Sequence, residues 1–216
     1  MPAGGVAARI RRRAGRAGIE TGPELAGSLE AYLDLLSRWN RRINLTALQL
    51  EPLSDQAVDR LIVEPLVASR RVRPEDRLAI DIGSGGGSPA IPLRLACPGL
   101  RLVMTEIKVR KSAFLREVVR QLGLTDVEVA NVRYEELLAR ADLHEAADIV
   151  SVRAVRPDAA LWSAIRGLLR PGGRLFWFTT TEARQPALNW SFNQIHSDRL
   201  GASASRSELV VAEIVR

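Results

Sequence analysis

Leu78-Ala79-Ile80-Asp81-Ile82-Gly83-Ser84-Gly85-Gly86-Gly87-Ser88 is the stretch whose residue types and spacing are best suited to chemistry. An apolar run of strand type ends in an acid and opens directly into a glycine loop. Glycine lets the backbone turn through positive φ and leaves no Cβ between the main chain and a ligand, so a small molecule can lie against bare peptide groups. A dinucleotide fingerprint asks for glycine at the first, third and sixth loop positions, whereas this chain has Gly83, Gly85 and then Ser88. The nicotinamide reading thus loses its third glycine. An Asp-x-Gly-x-Gly loop instead suits S-adenosylmethionine, whose methionine ammonium and carboxylate can meet backbone groups and a nearby acid. The plainer alternative is a tight structural turn.

Two further spacings point the same way. A second strand pattern, Arg101-Leu102-Val103-Met104-Thr105, ends at Glu106. That acid stands roughly 20 residues beyond the loop, where a nucleotide-binding α/β unit places the carboxylate that accepts ribose hydroxyls. Later, Arg170-Pro171-Gly172-Gly173 forms a turn that leads from a helix end into the strand Leu175 to Phe178.

The elements that must position these residues follow from periodicity. Leu25, Leu29, Tyr32, Leu33, Leu36, Trp39 and Ile43 recur at three- and four-residue steps and predict a helix from Gly22 to Asn44. A second helical stretch is expected from Ser54 to Ala68. From residue 78 onward strands near 78–82, 101–105, 126–130, 147–152 and 174–179 alternate with helices near 89–96, 109–122, 134–140 and 158–169. Such alternation implies a mostly parallel sheet with helices on both faces and ligands at the carboxyl ends of the strands.

Composition bounds the rest. A chain of 216 residues with 46% apolar content can bury one sizeable core. The expected organisation is a basic, disordered arm over 1–20 and one domain over 21–216, with a helical cap at 21–72 and an α/β core at 73–216. Cys97, His144 and His196 are isolated in sequence, so no disulfide or structural zinc is expected. With no apolar run of about 18 residues and no cleavable leader pattern, a cytoplasmic protein without membrane contact is expected, by default a monomer. Arg9, Arg11, Arg12, Arg13 and Arg16 precede the first acid, Glu20, and supply most of the net charge of +6. Flanked by glycines, this arm reads as a phosphate-contacting tail, a passive solvated one, or an organellar transit segment.

Four blocks in order carry a specific resemblance: Arg38-Trp39-Asn40-Arg41-Arg42-Ile43-Asn44-Leu45-Thr46; Asp81 to Leu93; Lys111-Ser112-Ala113-Phe114-Leu115; and Ser151-Val152-Arg153-Ala154-Val155. From residue 25 onward the chain resembles the bacterial RsmG/GidB family of 16S ribosomal RNA (guanine-N7) methyltransferases. The resemblance implies an α/β class I methyltransferase fold: Rossmann-like, with a mostly parallel seven-stranded sheet and a helical N-terminal cap. It also implies S-adenosylmethionine as donor, and 16S ribosomal RNA or the small ribosomal subunit as partner. Carried over by position, cofactor contacts fall on Gly83, Ser88, the pair Tyr134 and Glu135, and Arg153. The chain departs from the family at Ser88, where phenylalanine or leucine is usual, at Ala90, usually glycine, and at Glu106, usually aspartate.

With Asp81, Gly85 and Glu106 from the residue pattern, these form the expected cofactor site. Each has a plainer alternative. Asp81 could cap the loop's own amides, Glu106 a helix N-terminus, and Tyr134 and Glu135 could be an ordinary helix start. Arg153 could form an ion pair with Asp148 or Asp158. Arg41, Arg42, Lys108, Arg110 and Lys111 are the expected RNA contacts, with a solvated face as the alternative, and Trp39 reads as core. Guanine N7 carries a lone pair and no proton, so no general base is required. Two other functions fit the sequence: a methyltransferase of the same fold with another RNA or a small molecule as acceptor, and an RNA-binding protein without cofactor affinity.

Overall fold

The computed structural model describes residues 5–180, 192–200 and 207–214. Helices α1 (Val6–Arg16), α2 (Pro23–Asn40), α3 (Asp55–Val58) and α4 (Glu64–Ser69) precede the sheet, α3 and α4 being joined by a π turn at Asp59–Val63. Then follow β1 (Leu78–Ile82), α5 (Ala90–Ala96), β2 (Arg101–Thr105), α6 (Val109–Gln121) and β3 (Val127–Ala130). A 3₁₀ helix (Tyr134–Ala139), β4 (Ala147–Arg153), α7 (Ala159–Leu168), β5 (Leu169–Thr180), β6 (Phe192–Leu200) and β7 (Ser207–Ile214) complete the described elements.

The strands form one seven-stranded sheet in the order β3-β2-β1-β4-β5-β7-β6. The first five are parallel, and β7 runs antiparallel to both β5 and β6. Alternate side chains take opposite faces of a strand. Ala79, Met104, Ile149 and Phe176 accordingly join the core under α1 to α6, while Ile80, Val103, Val150 and Leu175 join the core under α7 and the 3₁₀ helix. The strand order reverses between β1 and β4, which opens a crevice beyond their carboxyl ends, the usual ligand position in such sheets.

β1 and β2 have the bounds expected from their apolar runs. The Pro-Gly-Gly segment lies within β5, where the pairing jumps from Ala147–Leu169 to Ile149–Arg174 and loops out the residues between. Two expectations need correction. Helix α2 stops at Asn40 instead of Asn44, because the Asn40 side chain accepts from the Leu45 and Thr46 amides at 2.9 and 3.0 Å and so stabilises a loop in place of another helical turn. The segment expected to be a disordered arm over 1–20 forms α1 from Val6 onward. Its Ile10 and Ala14 are fully buried against the cap. Arg13 makes a two-pronged ion pair with Asp59, both bonds 2.5 Å, and Arg9 reaches Asp55 at 2.8 Å. These acids sit 46 positions away, so a local count of charge does not reveal them.

Candidate functional site

The glycine loop leaves β1 with Gly83 at φ +71° and Gly85 at φ +52°, both in the left-handed region. A Cβ on Gly83 would sit 2.8 Å from Val155 Cγ2, whereas one on Gly85 would meet only the Gly83 carbonyl oxygen, at 3.7 Å. The backbone at Gly85 therefore faces open space. The loop is held from behind by Tyr32, whose hydroxyl donates to the Gly86 carbonyl at 2.6 Å. Burial pushes that phenol above its ordinary range, so Tyr32 is a neutral donor.

That open space is a cavity of about 480 Å³, lined by Gly83, Gly85, Ser88, Glu106, Lys111 and Arg153 together with Leu36, Leu61 and the segment Leu45 to Leu48. Most of the expected cofactor residues thus meet in one place. Glu106 is buried at the end of β2. One of its oxygens accepts from the Gly85 amide at 3.1 Å and the other from the Lys108 amide at 2.8 Å. It therefore both braces the loop and starts α6, and each oxygen keeps a lone pair for a further donor.

Arg153, at the end of β4, pairs with neither Asp148 nor Asp158. Asp148 accepts from Arg170 and from the Arg77 and Leu78 amides, and Asp158 caps α7. Arg153 instead meets Glu64 of α4 at 2.8 Å and Ser88 Oγ at 3.2 Å, donates to the Arg60 carbonyl, and stacks over Phe178 at 4.4 Å. Burial pulls its guanidinium down to about 10, so it remains charged at neutral pH. Ser88, in turn, donates to the Leu61 carbonyl at 2.9 Å. Both Arg153 and Ser88 thus bind carbonyls of the π turn, and such turns often mark functional sites. This joins the helical cap to the cavity wall.

Asp81 is only 1% exposed and does not line the cavity. One carboxylate oxygen accepts from Ser151 Oγ at 2.5 Å, and the other is buried without a hydrogen-bond partner. Burial pushes the carboxyl up to about 6, against the downward pull of the Ser151 and Ser84 hydroxyls and the Arg153 charge. Tyr134 and Glu135 stand at the start of the 3₁₀ helix and do not line the cavity; Tyr134 packs on the α7-side core and Glu135 is exposed.

The periodicity-based reading missed several site residues: Glu64, Arg60, Tyr32 and Ala154. An acid inside the apolar run Leu61-Ile62-Val63-Glu64-Pro65-Leu66 was a usable signal. Ala154, at φ +57° on the cavity rim, was not, since nothing in its type announces a strained backbone.

Of the expected RNA contacts, Lys111 lines the cavity, and Lys108 and Arg110 are exposed at the start of α6. Arg41 and Arg42 lie with Arg110 along a second groove beside the cavity. Arg41 is ion-paired with Glu51 at 2.6 Å. Trp39 packs its ring against Phe114 at 5.7 Å between centroids, as a partly buried core residue.

Fold and site together define a Rossmann-like, S-adenosylmethionine-dependent methyltransferase. The same overall fold is seen in a SAM-dependent methyltransferase from Aquifex aeolicus, at TM-score 0.57 and 15% identity, covering 77% of this chain and 97% of that one. Residues 26–204 match the family described as rRNA small subunit methyltransferase G, GidB, and the chain belongs to that family. Ribosomal RNA small subunit methyltransferase G of Stenotrophomonas maltophilia is 38% identical over 172 residues, 79% of this chain and 75% of the relative. The protein of the same name from Neisseria meningitidis is 36% identical over 180 residues, 77% of this chain and 84% of the relative.

Proposed function

We propose that this chain transfers the methyl group of S-adenosylmethionine to N7 of a guanine in 16S ribosomal RNA, acting in the cytoplasm. The observation that carries the reading is the convergence of Gly83, Gly85, Ser88, Glu106 and Arg153 on one cavity of about 480 Å³ at the carboxyl ends of β1, β2 and β4. The residues present fit the cofactor. The bare backbone at Gly85 leaves room for a ligand, and Glu106 has accepting capacity for ribose hydroxyls. Asp81 is buried outside the cavity lining, so it would act on the cofactor's amino group through its charge and not by direct contact.

When bound, S-adenosylmethionine supplies a sulfonium-activated methyl group. The protein's task is then alignment and exclusion of water. Guanine N7 has no proton to lose, so no general base is needed, and Glu106, Arg153 and Lys111 in the cavity lining have only to hold and align the reactants. Orientation alone can supply roughly 7–11 kcal/mol in well-aligned systems. Arg153, fixed by Glu64, Ser88 and the π-turn carbonyl, sets the cavity wall, and the apolar side chains of Leu36, Leu45 and Leu61 keep water away from it. Because N7 lies on the major-groove edge, the acceptor base must be unpaired or splayed from its stack to enter.

Titrating the protein with S-adenosylmethionine, and mapping N7-methylguanosine in 16S RNA from cells with and without the gene, tests this reading. One saturable site and the loss of one methylated guanine are expected. An unchanged methylation map would refute the acceptor assignment, and an absence of binding would refute the donor.

A further inference from the structure

A groove of about 560 Å³ lies beside the cofactor cavity, between the end of α2 and the outer face of α6. Its floor is apolar, formed by Leu35, Trp39, Ile43 and Ala113, and its rim carries Arg38, Arg41, Arg42 and Arg110. Arg38, Arg42 and Arg110 have no carboxylate partner within ion-pair distance among the described residues. The lining's single acid, Glu117, is held by Arg120 at 2.7 Å and by Gln121 at 2.9 Å. Arg41 is held by Glu51 and Arg38 lends part of its charge to Glu117, which leaves Arg42 and Arg110 as the rim's unpaired cations. An apolar floor beside such cations suits a base attached to a phosphate chain. An apolar helix would leave the guanidiniums idle, and an acidic peptide would leave the floor uncovered.

Placement along α6 adds a second argument. Lys111 lines the cofactor cavity while its neighbour Arg110 lines the groove, so the first turn of α6 forms the ridge between them. A single strand that enters the cavity with one base can cross this ridge and set another base down beyond it.

We infer that the groove is a second nucleobase subsite, which receives an unpaired nucleotide of the RNA strand carrying the methylated guanine. The inference rests on the RNA-methyltransferase reading and goes beyond it. The base lies on the apolar floor, and Arg42 and Arg110 take the flanking phosphates. Such a subsite recognises single-stranded RNA by stacking and charge, with little sequence readout.

The probes are a short oligouridylate and a sugar-phosphate chain of equal length and charge that lacks bases. The protein should bind the base-bearing chain about tenfold tighter or more, the range expected of one stacked base. Ala113 is exposed on α6, and Ala113→Glu fills the floor without touching the core. In that variant both affinities should fall through added negative charge, but the ratio between them should collapse toward one, with S-adenosylmethionine binding unchanged as evidence of folding. Equal binding of both chains by the unaltered protein, or a ratio that survives Ala113→Glu, overturns the subsite. Methyl transfer to 16S RNA is measured on the same preparation. Its absence with the ratio intact would overturn the methylation reading and leave the base-binding groove standing.

Discussion

Asp81 offers the sharpest test of how stability and function are balanced at this site. Its carboxyl is buried, one oxygen is unpartnered, and its folded pKa stands at about 6 against an ordinary value of 3.8. Below the ordinary value both folded and unfolded chains hold the proton, and burial of the neutral acid carries no ionisation cost. Between 3.8 and about 6 the unfolded chain ionises while the folded one does not, so stability falls as pH rises; beyond the folded pKa the loss is complete. A shift of about two units at about 1.36 kcal/mol each predicts a loss of about 3 kcal/mol between pH 4 and pH 8 from this residue alone. Asp81→Asn removes the titration while keeping the acceptor for Ser151. Urea unfolding of both proteins at several pH values should therefore give curves that diverge by about 3 kcal/mol, with the variant losing less stability toward alkaline pH. Burial of the variant's amide hydrogens lowers its absolute stability but not this slope, so the pH dependence of the difference is the quantity to read. Because Glu64 also titrates upward through burial, it contributes equally to both proteins and cancels. Parallel profiles would refute the argument that Asp81 is ionised at a cost. If the cost serves the cofactor's ammonium, Asp81→Asn should bind S-adenosylmethionine more weakly.

Two further outcomes follow from the same geometry. Glu106→Ala removes the acceptor of the Gly85 and Lys108 amides and the proposed ribose contact, and should weaken cofactor binding by about 1.5–3 kcal/mol in a calorimetric titration. A dissociation constant within a factor of two of the original would reduce Glu106 to a cap. Arg13→Ala strands Asp59, which is 8% exposed, and should cost about 3–5 kcal/mol in thermal or chemical unfolding, the penalty for breaking a buried pair. A loss below about 1 kcal/mol would show that solvent screens the pair.

Much of this site was legible because its signals are local. A strand with both faces buried reads as a largely apolar run, so Leu78–Ile82 announced its own bounds, and Asp81 within it with the glycines that follow announced the loop. Glu106 was found by its distance from that loop. Of the residues carried over by position, Gly83, Ser88 and Arg153 line the cavity, whereas Tyr134 and Glu135 stand on the 3₁₀ helix outside its lining. Arg153's partner was not legible, since Glu64 precedes it by 89 positions and is brought near only when the cap docks on the sheet.

The N-terminal segment shows the same limit from the other side. Arginine after arginine between glycines reads as a solvated arm, because charge runs are normally paired with nothing. Yet Val6, Ile10 and Ala14 stand four apart and form a helical stripe that the arginines obscure. Once that stripe is buried, Arg9 and Arg13 lie on the flank of α1 against Asp55 and Asp59, and the charges become its anchors. Asp59 opens the π turn, whose Arg60 and Leu61 carbonyls accept from Arg153 and Ser88. Removing α1 is therefore expected to act on the proposed cofactor cavity through this turn and not only on RNA charge. A deletion of residues 1–18 that leaves both thermal stability and S-adenosylmethionine affinity unchanged would break that chain of contacts as an explanation. The expected result is that both fall together, because the first helix braces the turn against which the cavity wall is built.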